Sequence, residues 1–115
     1  QMGKAPRDQW EQYLAWVEDL EYEKLGIPRP DLVLYLDMPI EVSQQLLLQR
    51  YQGDSGKKDI HESHLEFLRA CRECARYAGE RLSWKVIPCA RDGKPLPVEE
   101  IHQAVLAAVE PLLLP

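Results

Sequence analysis

The stretch Asp31-Leu-Val-Leu-Tyr-Leu-Asp-Met-Pro39 decides how this chain is read. Leu32 to Leu36 is an unbroken apolar run, without the alternation of a strand that keeps one face wet. A strand of that kind is buried on both faces, which predicts a parallel sheet covered by helices. Pro39 suits the first position of a helix, and Glu41 in the first turn favours the helix dipole. That helix is predicted to run to about Gln52, with Val42, Leu46 and Leu47 turned inward.

On the N-terminal side, Trp10, Tyr13, Leu14, Val17, Leu20 and Leu25 recur every three to five residues between Arg7 and Leu25. This is the spacing of an amphipathic helix. Gly26 suits its end, and Pro28 and Pro30 prevent its continuation. On the C-terminal side, Tyr51 to Asp59 is a polar break with two glycines, read as a mobile loop. A long helix is predicted from about Ile60 to Leu82, with Leu65, Leu68, Cys71, Ala75, Ala78 and Leu82 as its stripe. Trp84-Lys-Val-Ile-Pro-Cys89 reads as a second strand, and Arg91 to Pro97 as a loop. Val98 to about Leu113 is the last helix, burying Ile101, Val105, Ala108, Val109 and Leu112.

A strand, a helical crossover and a second strand predict a right-handed parallel unit. Two doubly buried strands need neighbours along their edges, so the chain reads as part of a larger α/β fold. Its 115 residues allow one core. With 14 basic against 19 acidic residues, the net charge of −5 argues against a nucleic-acid polymer as partner. No apolar run approaches the ~18–20 residues that span a bilayer, and no signal-peptide pattern opens the chain. Three cysteines are an odd count at low density, which fits a reducing, cytoplasmic setting.

Gly53-Asp-Ser-Gly-Lys-Lys58 has the flavour of a phosphate loop but lacks the spacing, the Ser/Thr after lysine and the preceding strand of a Walker A motif. It reads either as a solvated loop or as a cationic lid whose Lys57 and Lys58 neutralise charge during phosphoryl transfer. His61, His64, Cys71 and Cys74 do not make a zinc site, because His61 and Cys74 lie ~20 Å apart along a continuous helix. Cys71 is read as core filler. Asp37 ends the first strand, where ligands bind in open parallel sheets, although local hydrogen bonding at the helix entry before Pro39 is the favoured account. From Leu48 to Arg81, seven basic residues (Arg50, Lys57, Lys58, Arg69, Arg72, Arg76, Arg81) face six acidic ones, a local excess that favours anion handling.

Laid end to end, the chain resembles the C-terminal half of a bacterial thymidylate kinase. The residues that carry the likeness are Gly26 to Val42, Lys58-Asp-Ile-His-Glu62, Glu66-Phe-Leu-Arg69 and Trp84 to Cys89. Gln1-Met-Gly-Lys4 resembles the end of the family's H-Q-x-x-K element. The resemblance implies an α/β, helix-rich C-terminal portion of a P-loop NTPase three-layer fold with two parallel strands. It spans residues 1–115, with a lid at about 51–62. It also implies a cytoplasmic homodimer that transfers the ATP γ-phosphoryl to dTMP, with Mg²⁺ accompanying ATP.

Carried over by position, Lys57 and Lys58 would be the lid's catalytic cations, and Arg50, Ala90 and Arg91 would border ATP. Gln1 would contact the thymine base, with Asp59, His61 and Glu62 at the lid's return towards dTMP; no residue is assigned to a metal. This sequence departs from the family in offering lysines where many relatives have lid arginines, and lysine lacks the bidentate fork. His61 and Ala75 stand where relatives have tyrosine. The Walker A loop and the arginine motif for the dTMP phosphate would lie in a preceding half outside these residues, so this chain alone is expected not to turn over. The alternatives are another P-loop nucleotide or deoxynucleoside kinase, or a non-catalytic helical module dimerising through Trp10, Tyr13 and Val17.

Overall fold

The structure, a computed structural model, describes residues 1–50 and 58–114, with the backbone alone described over residues 58–63. Two 3-10 turns, Met2–Lys4 and Arg7–Gln9, lead into helix α1 (Trp10–Glu18). The helix then widens into a π-helical segment, Asp19–Lys24, in which Leu25 N donates to Leu20 O at 2.9 Å. Gly26, at φ 68°, ends it in the left-handed conformation that only glycine takes without strain.

Strand β1 (Leu34–Asp37) follows, then α2 (Ile40–Arg50), α3 (Lys58–Arg81) and β2 (Lys85–Pro88). β1 and β2 pair in parallel, Leu34 opposite Lys85 and Asp37 opposite Pro88. The predicted crossover is therefore present, in a mixed α/β chain that is mostly helical. Helix α3 starts at Lys58, two residues before the expected Ile60, so the C-terminal part of the segment expected to form a lid is helical. Residues 51–57, the rest of that segment, lie outside the described residues. Among the described residues no helix is long and apolar enough to cross a membrane.

The stretch expected to be a loop after β2 is instead a small antiparallel hairpin, β3 (Ala90–Arg91) with β4 (Lys94–Pro95). Asp92 and Gly93 take φ of 54° and 73°, the doubly left-handed geometry of a two-residue hairpin turn. Asp-Gly is a strong hairpin signal that the loop reading passed over. Helix α4 (Val98–Leu113) has the predicted bounds and packs against β2.

The core lies between α1 and α3. Met2, Trp10, Leu14, Cys74 and Ala78 are buried there, with Tyr13, Tyr77, Leu82 and Trp84 packed around them. Trp10 is 4% exposed, donates from Nε1 to Ala5 O at 3.1 Å and meets Tyr77 edge-on at 5.4 Å. That burial withdraws Trp10 from the dimer face considered above. Val42 is buried as expected and Leu47 half-buried, whereas Leu46 is exposed. In α4, Ile101, Val105, Ala108 and Val109 are half-buried and Leu112 is exposed.

The expectation of two doubly buried strands fails in an informative way. Leu36 is 55% exposed and Val86 42% exposed. Side chains alternate between faces along a strand, and Asp37 bonds Arg72 of α3. Tyr35, Asp37 and their partner Val86 therefore share the α3 face, and Leu34, Leu36 and Ile87 the opposite one. Each face has one covered strand and one open apolar position.

The two sheet edges also differ. Lys85 N donates to Val33 O and Cys89 N to Asp37 O, both at 2.9 Å. By alternation, Lys85, Ile87 and Cys89 turn their backbone groups to β1, while Val86 and Pro88 turn theirs outward. Pro88 has no N–H to offer there, a feature confined to strands that end a sheet. On β1 the outward residues are Leu34 and Leu36, each with both backbone groups intact. The sheet is closed to further strands beside β2 and open beside β1.

Candidate functional site

Asp37 closes β1 at its carboxyl end because the strand must stop before Pro39, whose ring suits the start of α2. Arg72, in the middle of α3, donates from Nε to one carboxylate oxygen at 3.0 Å and from Nη2 to the other at 3.2 Å. Both side chains are largely shielded, 28% and 16% exposed. The fork of Arg72 thus satisfies the carboxylate on both oxygens, an arrangement lysine cannot make. Neither of the two readings of Asp37 made from the sequence anticipated this partner, which lies 35 residues away.

Burial, with the Asp37 charge added, governs the ionisable groups near the strand ends. Burial, and then the Asp37 charge, push the Tyr35 hydroxyl above the usual phenol range. The same two causes push the Cys89 thiol up. Burial also raises the Cys74 thiol. Protonated, inert thiols at these positions fit packing roles.

Beside the pair, a groove of about 410 Å³ runs between the start of α2 and α3. It is lined by Arg7, Arg69, Arg72 and Arg76, interleaved with Glu41, Glu73 and Glu80. Arg7 reaches Glu73 at 2.5 Å and Arg69 reaches Glu41 at 3.6 Å, both exposed pairs. A second groove, of about 630 Å³ and mostly apolar, lies between α1 and α3, with Gln1, Tyr13, Trp16, Val17 and Val33 on its walls.

The assigned residues with described side chains are not gathered by these grooves. Gln1 lines the apolar groove, Arg50 is the exposed last residue of α2, and Ala90 and Arg91 form β3 beyond the carboxyl end of β2. Arg91 donates to Glu100 at 2.5 Å, tying the hairpin to the first turn of α4. Lys58, Asp59, His61 and Glu62 occupy the first turns of α3, and Lys57 lies outside the described residues. Among Gln1, Arg50, Ala90 and Arg91, only Gln1 lines one of these two grooves. Ala90 and Arg91 do follow the carboxyl end of the parallel sheet, the side on which open α/β sheets bind ligands.

No protein-family profile, curated protein or solved structure matches this chain. Function is therefore argued from its own residues. Among the described residues no three carboxylate, imidazole or thiol groups gather to hold a cation, and Asp37 is engaged by Arg72. What the described part of the chain does offer is a parallel strand pair with an open β1 edge, a fixed acid–arginine pair at its carboxyl end, and a row of arginines beside that pair.

Proposed function

We propose that the chain is the C-terminal part of a P-loop nucleotide kinase of the thymidylate kinase type, a cytoplasmic homodimer that phosphorylates dTMP from ATP. The observation that carries this reading is the asymmetry of the sheet, finished beside β2 by Pro88 and unfinished beside β1. A third strand on the β1 side would pair the backbone of Leu34 and Leu36 and bring its own carboxyl end beside Asp37, and the helix joining it would cover the face that Leu36 occupies. A phosphate-binding loop following such a strand would sit at the edge where this fold places its ligands.

In this reading α2 and α3 frame the lid, with Lys57 and Lys58 supplying charge over the transferring phosphoryl group. Arg50 and the Ala90–Arg91 hairpin border ATP, and Gln1, Asp59, His61 and Glu62 approach dTMP. Mg²⁺ enters with ATP as part of the co-substrate. Without a phosphate cradle the 115-residue chain does not catalyse the transfer by itself.

The test is a dTMP phosphorylation assay on the product of the complete reading frame, beside the 115-residue chain. The expected result is dTDP from the complete product and none from the chain. Turnover of another nucleotide or nucleoside, with none of dTMP, would replace the substrate. A complete product without a glycine-rich strand–loop–helix ahead of Gln1, and without nucleotide affinity by titration calorimetry, would overturn the kinase reading in favour of a non-catalytic module.

A further inference from the structure

The arginine-lined groove beside Asp37 is not used by the kinase reading, and its geometry has a use of its own. Arg69, Arg72 and Arg76 stand three and four residues apart, so their side chains rise in one row along α3. The row covers roughly 10 Å of helix rise. Arg7, from the turn before α1, lines the same groove, paired with Glu73 of α3 and lying over the Tyr77 ring at 5.8 Å. Arg76 also lines an adjoining groove of about 430 Å³ with Asp37, Glu80, Trp84 and Val86, so the channel continues to the end of the sheet.

The four cations are not equally committed. Arg72 is held by Asp37 through two hydrogen bonds in a shielded position. Arg7 and Arg69 are in exposed pairs with glutamates, the second at a loose 3.6 Å. Such pairs contribute little and exchange readily for a better acceptor. Arg76 makes no ion pair among the described residues. A phosphate oxygen accepts two parallel N–H bonds from a guanidinium, a stronger contact than these surface glutamates provide.

We propose that this groove is a binding site for a linear polyphosphate group, held by Arg69 and Arg76 with Arg7 as a further cation on its lining. The positions of the arginines favour an extended anion lying along α3 over a single compact one. Arg72 keeps Asp37 and steers the ligand without being released. Glu73 and Glu80 set the selectivity, since they repel an anion that does not engage the guanidinium row.

The probe is sodium tripolyphosphate, titrated into the protein and followed by thermal unfolding, with sodium chloride at matched ionic strength as control. Saturable stabilisation beyond the chloride control is expected, with orthophosphate weaker than tripolyphosphate. Arg69→Gln and Arg76→Gln should each weaken tripolyphosphate affinity by about tenfold, and Glu80→Gln should strengthen it. Should a variant fail to fold, the arginine Nε–H resonances of the unaltered protein serve instead, with those of Arg69 and Arg76 moving on titration. A response equal to chloride, or one unchanged in both arginine variants, overturns the proposal. Its outcome is separate from the dTMP assay, because Gln1, Arg50, Ala90 and Arg91, the assigned residues with described side chains, do not line this groove.

Discussion

Arg72 and Asp37 form a two-bond ion pair, at 3.0 and 3.2 Å, that pins the middle of α3 to the carboxyl end of β1. The strand contributes a carboxylate that cannot leave, since the chain turns at Pro39, and the helix contributes the only side-chain type able to meet both oxygens at once. The pair therefore sets the distance between the sheet and its covering helix at the edge where ligands bind in such sheets.

Removing one partner leaves the other charge shielded and unpaired. Arg72→Ala and Asp37→Ala should each destabilise the chain by about 2 kcal/mol, read from urea denaturation. The double variant should cost clearly less than the sum, with a coupling of about 1 kcal/mol or more. Additive losses would mean that the two side chains contribute independently.

Trp10 is the largest side chain of the core between α1 and α3, and its indole N–H is satisfied by Ala5 O. Trp10→Ala should cost about 3–5 kcal/mol, enough to unfold a domain of this size under mild conditions. Trp10→Phe should cost less, keeping the edge-on contact with Tyr77 while orphaning Ala5 O. Circular dichroism melts would separate the two. Equal melting of Trp10→Ala and the parent chain would place the core elsewhere.

Arg81, opposed by partial desolvation and helped by the Tyr77 hydroxyl, holds the Glu11 carboxyl below the usual carboxylate range. A carboxyl depressed in the folded state stabilises above its unfolded pKa, and that contribution disappears as pH falls through the lower folded value. Glu11→Gln should melt below the parent chain at neutral pH, and the gap should close in acid below the ordinary carboxylate range. A gap that is constant with pH would show that Glu11 acts through packing rather than charge.

The three cysteines are free. Cys74 and Cys89 are buried with thiols pushed up by burial, while Cys71 is half-buried. Native-state alkylation near neutral pH should modify Cys71 first, with Cys74 and Cys89 reacting at the rate of local opening. Mass mapping after short iodoacetamide exposure would read the order. Equal labelling of all three would contradict the core described above.

Pro88 withholds an N–H from the outer side of β2. Pro88→Thr restores a donor on a strand edge and should raise concentration-dependent self-association, measured by sedimentation velocity. Leu36, exposed in this chain, should by contrast tolerate Leu36→Thr within about 0.5 kcal/mol. In a protein whose sheet extends beyond β1, the same change should cost about 2 kcal/mol. The difference between the two hosts measures the burial that the open edge awaits.

Local chemistry made much of the fold legible from the sequence. The spacing of Trp10, Leu14 and Val17, the stop at Gly26, the apolar run before Pro39 and the strand at Lys85–Pro88 each depend on neighbours a few residues away. The Asp92-Gly93 turn is also a local signal for a hairpin, although the two prolines that follow make the segment read as a loop.

What needed the tertiary structure was everything that joins distant parts of the chain. The sequence alone determined that two apolar strands flank a helical crossover, since hydrophobic pattern and turn residues act locally. Only the folded chain decided that Arg72 meets Asp37, that Trp10 is core, and that Pro88 turns its missing donor outward while Leu36 stays uncovered. Ion pairing, burial and sheet-edge accessibility are properties of the space between elements, and no spacing along the chain encodes them.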